Sequence, residues 1–427
     1  MRKMLFTATA LAAPIALACP AYAAPKKFGD PVTVSDGITL DPIIDARLRL
    51  EHVDQPTVEA DSVTLRVRFG GELKHAASKL SLLAEAEGTV ALDSSYNALP
   101  FAVGSYQRRP GYATVVDPEN IELNRLQLQY KGKAVTVTVG RQRINLDDQR
   151  FVGSVGWRQN EQTFDAARVE AKLGPVSLDG TYAMSQRTIY GYDALGRTAY
   201  DGDFVFLGAG GKLGPVQVKA FAYLLDYDAA EQVPALAVAL ADTQTYGLRA
   251  TTSLPLSKQV KLNLAASYAH QSAYTGSGPS FGADYIAAEG SLAYKGLAAT
   301  VGYELLGSDA AAAGGAGRAF QTPMATLHKF NGWADMFLVT PNSGLQDFYA
   351  GVSYGFPKMK VIKGLNASVT YHDFDSDVGG VDLGYEWDAA LGFKTGKIGW
   401  MVKYADYTAR AVGPDTQKFW VQAEIAF

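Results

Sequence analysis

Two pairs of arginines stand one residue apart, Arg47 and Arg49 in DARLRLE and Arg66 and Arg68 in VTLRVRF. Glu85 and Glu87 repeat that interval in LSLLAEAE. A side chain recurring at every second residue lies on one face of a β-strand, so each pair projects two like charges in the same direction. Guanidinium groups are planar forks that match carboxylates bidentately. Facing water, such a row would recognise carboxylate or sugar-acid solutes; facing the glutamates, it would pair across strands and brace the wall. Arg125, Arg168 and Arg249 hold equivalent positions further along, as do Lys172, Lys219, Lys261 and Lys403. Glu170, Glu289, Glu304, Asp388 and Glu424 fall on the same side. Both readings require strands whose polar rows share one water-filled space.

The strands are legible from their alternation. Asp45, Arg47, Arg49 and Glu51 oppose Ala46, Leu48 and Leu50, and Thr64, Arg66 and Arg68 oppose Val63, Leu65, Val67 and Phe69. The rhythm recurs in about eighteen segments, the last being KFWVQAEIAF, which ends on Phe427. An even number suits a bacterial outer-membrane barrel, whose termini share one side. The connections alternate long and short, beginning with a longer loop after the first strand. KGKA (131–134), KLGPV (172–176 and 212–216), YKGL (294–297) and TGKIG (395–399) are tight, whereas 88–121, 141–163, 184–202, 226–242 and 307–345 are long. Short periplasmic turns and long external loops give that asymmetry. A charge on the lipid face would cost about 2–4 kcal/mol near the bilayer midplane, and the apolar rows need none. Tyr130, Tyr268, Tyr294, Tyr354, Trp387, Trp400, Tyr404, Phe419 and Phe427 fall on those rows, as the aromatic girdles of a membrane protein require. The fold expected is therefore all-β: a transmembrane antiparallel up-and-down barrel over residues 39–427. Eighteen strands leave a water-filled lumen, which eight do not.

The compartment follows from the first residues. Arg2 and Lys3, a short apolar stretch and Ala21-Tyr22-Ala23 read as a secretory signal peptide over 1–23, leaving 24–38 as a short periplasmic segment. Cys19 is the single cysteine of the 427 residues and would leave with the signal, so no disulfide, thiolate metal site or cysteine nucleophile is expected. Without Arg2 and Lys3 the chain carries 37 basic and 43 acidic residues, net −6, which disfavours nucleic acid as a partner. The expected partners are outer-membrane lipid and lipopolysaccharide, the barrel-assembly machinery reading Phe427, and a small anionic or saccharide solute.

Enzymatic readings are weaker. Gly351-Val352-Ser353-Tyr354-Gly355 has the letters of a nucleophile elbow, but that motif needs a sharp strand-to-helix turn, and here it lies inside an alternating run. A barrel hydrolase using Ser353 is the rival class. His52, His75, His270, His328 and His372 show no metal-ligand spacing, and no cofactor is expected. Asp373, Asp375 and Asp377 have the first spacings of a calcium loop, yet the glycine falls one place late and no glutamate closes it, which favours an acidic external hairpin tip.

Two longer stretches are more specific. GRQRINLDDQRFVGSVGWRQNEQTFDA (140–166) and FQTPMATLHKFNGWADMFLVTPNSGLQD (320–347) resemble the alginate-export family of outer-membrane channels. The resemblance covers essentially the whole mature chain. It implies an eighteen-stranded monomeric barrel, loops folded over or into the lumen, and an arginine-lined pore favouring a polyuronate or another anion. The first stretch adds Arg141, Arg143, Arg150 and Arg158 as candidates for a constriction. Phe151, Trp157, Phe164, Phe330, Trp333 and Phe337 are expected to anchor the loops against one another. The glutamates of the mixed lumen depart from the wholly basic pore of an alginate exporter. The function expected is passive passage of anionic or sugar-like solutes, with a non-selective general porin as the alternative.

Overall fold

A computed structural model describes residues 29–228, 240–275, 280–357 and 359–427; the expected signal peptide and Cys19 lie outside them. A short strand β1 (Val32–Ser35) folds back on the start of β2 (Ile38–Gln55), pairing Val32 with Leu40. The wall continues through β3 (Val58–His75), β4 (Leu80–Ser95), β5 (Asn120–Lys131), β6 (Val135–Gln142) and β7 (Thr163–Leu173). Next come β8 (Val176–Arg187), β9 (Ala199–Leu213), β10 (Val216–Tyr227), β11 (Thr243–Pro255), β12 (Val260–Ala273), β13 (Gly282–Tyr294) and β14 (Leu297–Leu306). A two-residue ribbon, β15 (Ser308–Asp309) with β16 (Arg318–Ala319), belongs to a loop. The wall ends with β17 (Leu345–Gly355), β18 (Ile362–Asp375), β19 (Asp382–Thr395), β20 (Ile398–Ala409) and β21 (Thr416–Ala426).

Each wall strand pairs antiparallel with its neighbour, and β21 pairs with β2, so the sheet closes into a barrel of 18 strands with no free edge. Closure satisfies every ladder group inside the sheet, the condition for backbone to cross hydrocarbon. The terminal strand is held in that way: Phe419, Val421, Ala423 and Ile425 face His52, Leu50, Leu48 and Ala46, and the Phe427 amide donates to the Ile44 carbonyl at 2.8 Å.

Alternation decides which row meets lipid. Leu48, Leu50, Val67 and Phe69 are exposed on the outside, whereas Arg47, Arg49, Arg66 and Arg68 are buried inside. Tyr130, Tyr294 and Tyr354 lie outward near the short turns and Tyr268, Trp387, Tyr404 and Phe419 outward near the opposite rim, forming two girdles. Several outward polar and charged groups at that upper rim are paired there. His52 bonds Asp61 at 2.8 Å, His270 bonds Asp284 at 2.8 Å, and the Tyr182 hydroxyl donates to Asp203.

One connection differs from expectation. The first link is no long loop but the two residues Pro56 and Thr57, because β2 and β3 each run to 18 residues. Val53 and Ala60, at the tip of that hairpin, pack beneath Tyr96, Leu99 and Val115 of the next loop. Loop cover, rather than lipid, keeps the pattern alternating there.

Candidate functional site

Two of the long connections turn into the barrel. Loop 143–162 leaves β6 and crosses to the far wall, where the carbonyls of Gly156, Trp157 and Arg158 each accept from the Arg47 guanidinium at 3.1–3.2 Å. Loop 307–344 meets it along a parallel bridge between Val152 and Met324. There the Gly153 amide donates to the Met324 carbonyl at 2.8 Å and the Thr326 amide to the Gln149 carbonyl at 3.0 Å. The apolar residues of these stretches make a core. Phe151 packs on Phe221, Tyr223, Tyr285 and Phe320, Phe164 on Phe206, and Phe337 on Phe374 and Tyr407.

The arginine column lies beneath this plug, and each of its arginines pairs with an acidic side chain. Arg47 pairs with Glu424 at 3.2 Å, and Arg49 with Asp117 at 3.3 Å and Gln422 at 2.7 Å. Arg66 pairs with Asp45, and Arg68 with Glu87 and, at 3.3 Å, with Glu161. Arg125 forks onto Glu85 at 2.6 and 2.8 Å. Arg143 forks onto Glu161 as well. Burial alone would raise the Glu161 carboxyl, but Arg143 and Arg68 outweigh it and hold it below the usual carboxylate range. All four column arginines are less than a tenth exposed, each held against wall or plug by these contacts.

Arg150 and Arg158 fasten the plug elsewhere. Arg150 forks onto Glu304 at 2.7 and 3.2 Å and reaches Thr322 and Asn331. Arg158 bonds Glu51 at 3.2 Å and Asp335 at 2.7 Å; burial opposes its charge, yet Glu51 and Asp335 raise its pKa above the ordinary arginine value. Arg168 pairs with Glu170 at 3.0 Å on β7. Arg249 of β11 pairs with Asp148 of loop 143–162 at 2.8 Å.

Arg141 departs from its expected place at a constriction. β6 continues through Gln142, so Arg141 shares the outward row of Val139 and pairs across the register with Asp165 at 2.8 Å, on the outer rim.

One cluster joins residues that the sequence placed apart, on the inward row and in the two loops. Lys403 of β20 lies 3.6 Å from the Trp333 ring centre, 4.0 Å from Trp157 and 5.3 Å from Trp420. Its ammonium donates to His328 Nε2 at 2.8 Å, and His328 Nδ1 faces Asp335 at 2.8 Å. Burial, with Lys403 and Arg158 close by, pushes His328 well below its ordinary value against the pull of Asp335. Burial would raise Asp335, but His328, Lys418 and Arg158 keep it well below. A neutral ring protonated on Nδ1 satisfies both neighbours.

Ser353 sits within β17, between register partners Ala298 and Ser368, with no turn at that position. Asp377 accepts from the Ser308 amide at 2.8 Å and is structural. Among the described residues no group of three or more acidic, histidine or cysteine side chains is placed to hold a metal ion.

Comparison with known proteins agrees with this architecture. The family described as alginate export matches residues 43–316, more than half of the chain. No curated protein matches. Among solved structures, OpdL of Pseudomonas aeruginosa is 17% identical with TM-score 0.64, covering 91% of this chain and 98% of its own. OccK9 (OpdG) of the same organism is 13% identical with TM-score 0.65, covering 91% and 99%. P. aeruginosa OpdK, solved with vanillate, is 12% identical with TM-score 0.63, covering 91% and 99%. The closed barrel and the family match together show that the chain belongs to the alginate export family, as a β-barrel porin of the Gram-negative outer membrane.

Proposed function

We propose that the protein is a passive channel for small or linear hydrophilic solutes of anionic or sugar-like type. The observation that carries this reading is the inner wall. Eighteen strands enclose a lumen too wide for their own side chains to fill, and its rows are rich in Arg, Lys, Glu, Asp, Gln and Thr. Selectivity in such a channel comes from wall charges and from the loops that narrow it, and two loops narrow this one. OpdK was solved with vanillate, a carboxylate, which supports carboxylate-bearing solutes for this chain as well.

The test is reconstitution of the mature chain in planar bilayers, with reversal potential in a salt gradient, beside vesicle swelling with a uronate and a neutral sugar. Steady conductance with entry of either solute supports the channel; a sealed bilayer and unswollen vesicles refute it. A general porin is favoured by the near balance of acids and bases in the wall, and would pass neutral sugar and uronate at rates set by size alone. A hydrolase using Ser353 is disfavoured because the serine lies in a continuous strand.

A further inference from the structure

With the arginine column sealed, a solute must pass elsewhere. An opening of about 280 Å³ remains between loop 143–162 and the wall, lined by Asp147, Asp148, Gln217, Lys219, Arg249 and Thr251. We propose that this opening is the selective passage and that it takes small zwitterions, solutes carrying a carboxylate and a cationic group together. The inference rests on the channel reading and, in place of simple anions, narrows its carboxylate-bearing solutes to zwitterions.

Charge is arranged in two facing lines. The wall supplies cations, Lys219 on β10 and Arg249 on β11, which stand opposite each other in the register. The loop supplies anions: Asp147 lies 3.3 Å from Lys219 and Asp148 lies 2.8 Å from Arg249. Asp179 of β8 adds a second partner for Lys219 at 3.0 Å. These side chains are 17–26% exposed, so water reaches them, unlike the column arginines.

The carboxylates are held forward. Asp147 and Gln149 adopt φ of 50° and 70°, the left-handed region, which costs non-glycine residues of order 1–3 kcal/mol each and persists only where the surroundings enforce it. Here the second loop does so, through Thr326 to the Gln149 carbonyl and Lys329 to the Asp148 carbonyl at 2.6 Å. Gly208 keeps the wall clear, because a Cβ there would meet Asp179 Oδ1 and Lys219 Cε at 2.5 Å.

Exchange of partners then decides the solute. A simple anion that binds Arg249 displaces Asp148 and leaves that carboxylate unpaired beside Asp147, which is unfavourable in a confined site. A zwitterion gives its carboxylate to Arg249 or Lys219 and its cation to the aspartates, so every charge keeps a partner.

The full mature chain in planar bilayers and vesicles tests this. The expected reversal potential of wild type is near zero, shifting to anion preference in Asp147→Asn with Asp148→Asn, and to cation preference in Lys219→Gln with Arg249→Gln. Arg47→Gln with Arg66→Gln should leave it unchanged. Vesicles should admit 4-aminobutanoate several-fold faster than butanoate, a preference lost in both opening variants, and Gly208→Val should lower single-channel conductance by pushing the Lys219–Asp179 pair inward. Reversal potential that follows Arg47 and Arg66 while ignoring the opening residues, or butanoate entering as fast as its amino analogue, overturns the inference and leaves the channel standing. Absence of conductance in wild type overturns the channel reading itself.

Discussion

The His328 imidazole lies on the Trp157 indole with ring centres 4.2 Å apart and planes 7° from parallel. Trp157 arrives on loop 143–162 and His328 on loop 307–344, so a single stack joins the two halves of the plug. The wall completes the joint, with Lys403 among the three tryptophans and the Trp420 edge against both rings. A cation buried over indole faces is worth about 2 kcal/mol or more when desolvated.

Trp157→Ala should therefore loosen the plug without opening the wall. Removing a buried tryptophan costs about 3–5 kcal/mol, and here the loss falls on loop docking, since every strand ladder survives. Expected are larger single-channel steps with more open-state noise, alongside unchanged β-sheet content by circular dichroism. Conductance equal to wild type would show that the stack does not hold the loops in place.

Acid should do reversibly what that substitution does permanently. His328 is depressed below its ordinary value of 6.5 by burial and by Lys403 and Arg158, with Asp335 pulling the other way. An undocked loop therefore binds a proton that the docked loop refuses, and docking stability is complete above the ordinary histidine range. It declines as pH falls from about 6.5 downward. Asp335, held low, contributes its own loss only at lower pH, as pH falls through the ordinary carboxylate range and below it. Noise and step size should rise between pH 7.5 and pH 5, and His328→Gln, which keeps a neutral hydrogen-bonding group, should flatten that response.

Strand rows were legible in the sequence because lipid on one side and water on the other impose a period of two on every crossing. Arg47, Arg49, Arg66, Arg68, Glu85 and Glu87 all face inward as their parity requires. What parity cannot convey is the partner. Arg49 meets Asp117 and the Trp157 carbonyl, 68 and 108 residues away, and only the path of the loops brings those groups to the wall. Arg141 was misplaced because its stretch reads as a loop, although β6 extends through it and sets its direction. Asp147 and Asp148 stand within a largely polar stretch, and their importance depends on Lys219 and Arg249, which no local spacing connects to them.

The buried carboxylate of Glu161 offers a test of bracing. It accepts from Asn124 at 2.7 Å and pairs with both Arg143 and Arg68. Glu161→Ala leaves two guanidinium groups short of a partner at a site where the carboxylate is 1% exposed, and breaking a buried pair in this way costs about 3–5 kcal/mol. The temperature at which the detergent-solubilised barrel loses its compact gel mobility should fall. Arg168→Ala, at an outlying pair with a half-exposed glutamate, should change it little. Equal effects from the two would remove the distinction between bracing and surface pairs.

A change of the Phe427 side chain tests wall closure apart from any reading of that ring during assembly. Its backbone amide anchors the last residue to Ile44, and its ring lies 4.1 Å from the Lys397 ammonium. Closure itself resides in the ten-residue register from Asp45–Ala426 to Asp54–Gln417, which a change of the final side chain leaves intact. Phe427→Ala should therefore refold from urea into detergent micelles as readily as wild type, while the amount of heat-modifiable barrel recovered from bacterial outer membranes drops several-fold. If both yields drop together, the ring acts through the wall. If neither drops, the terminal aromatic is read by no assembly partner, and the girdle position alone accounts for its place at the end of β21.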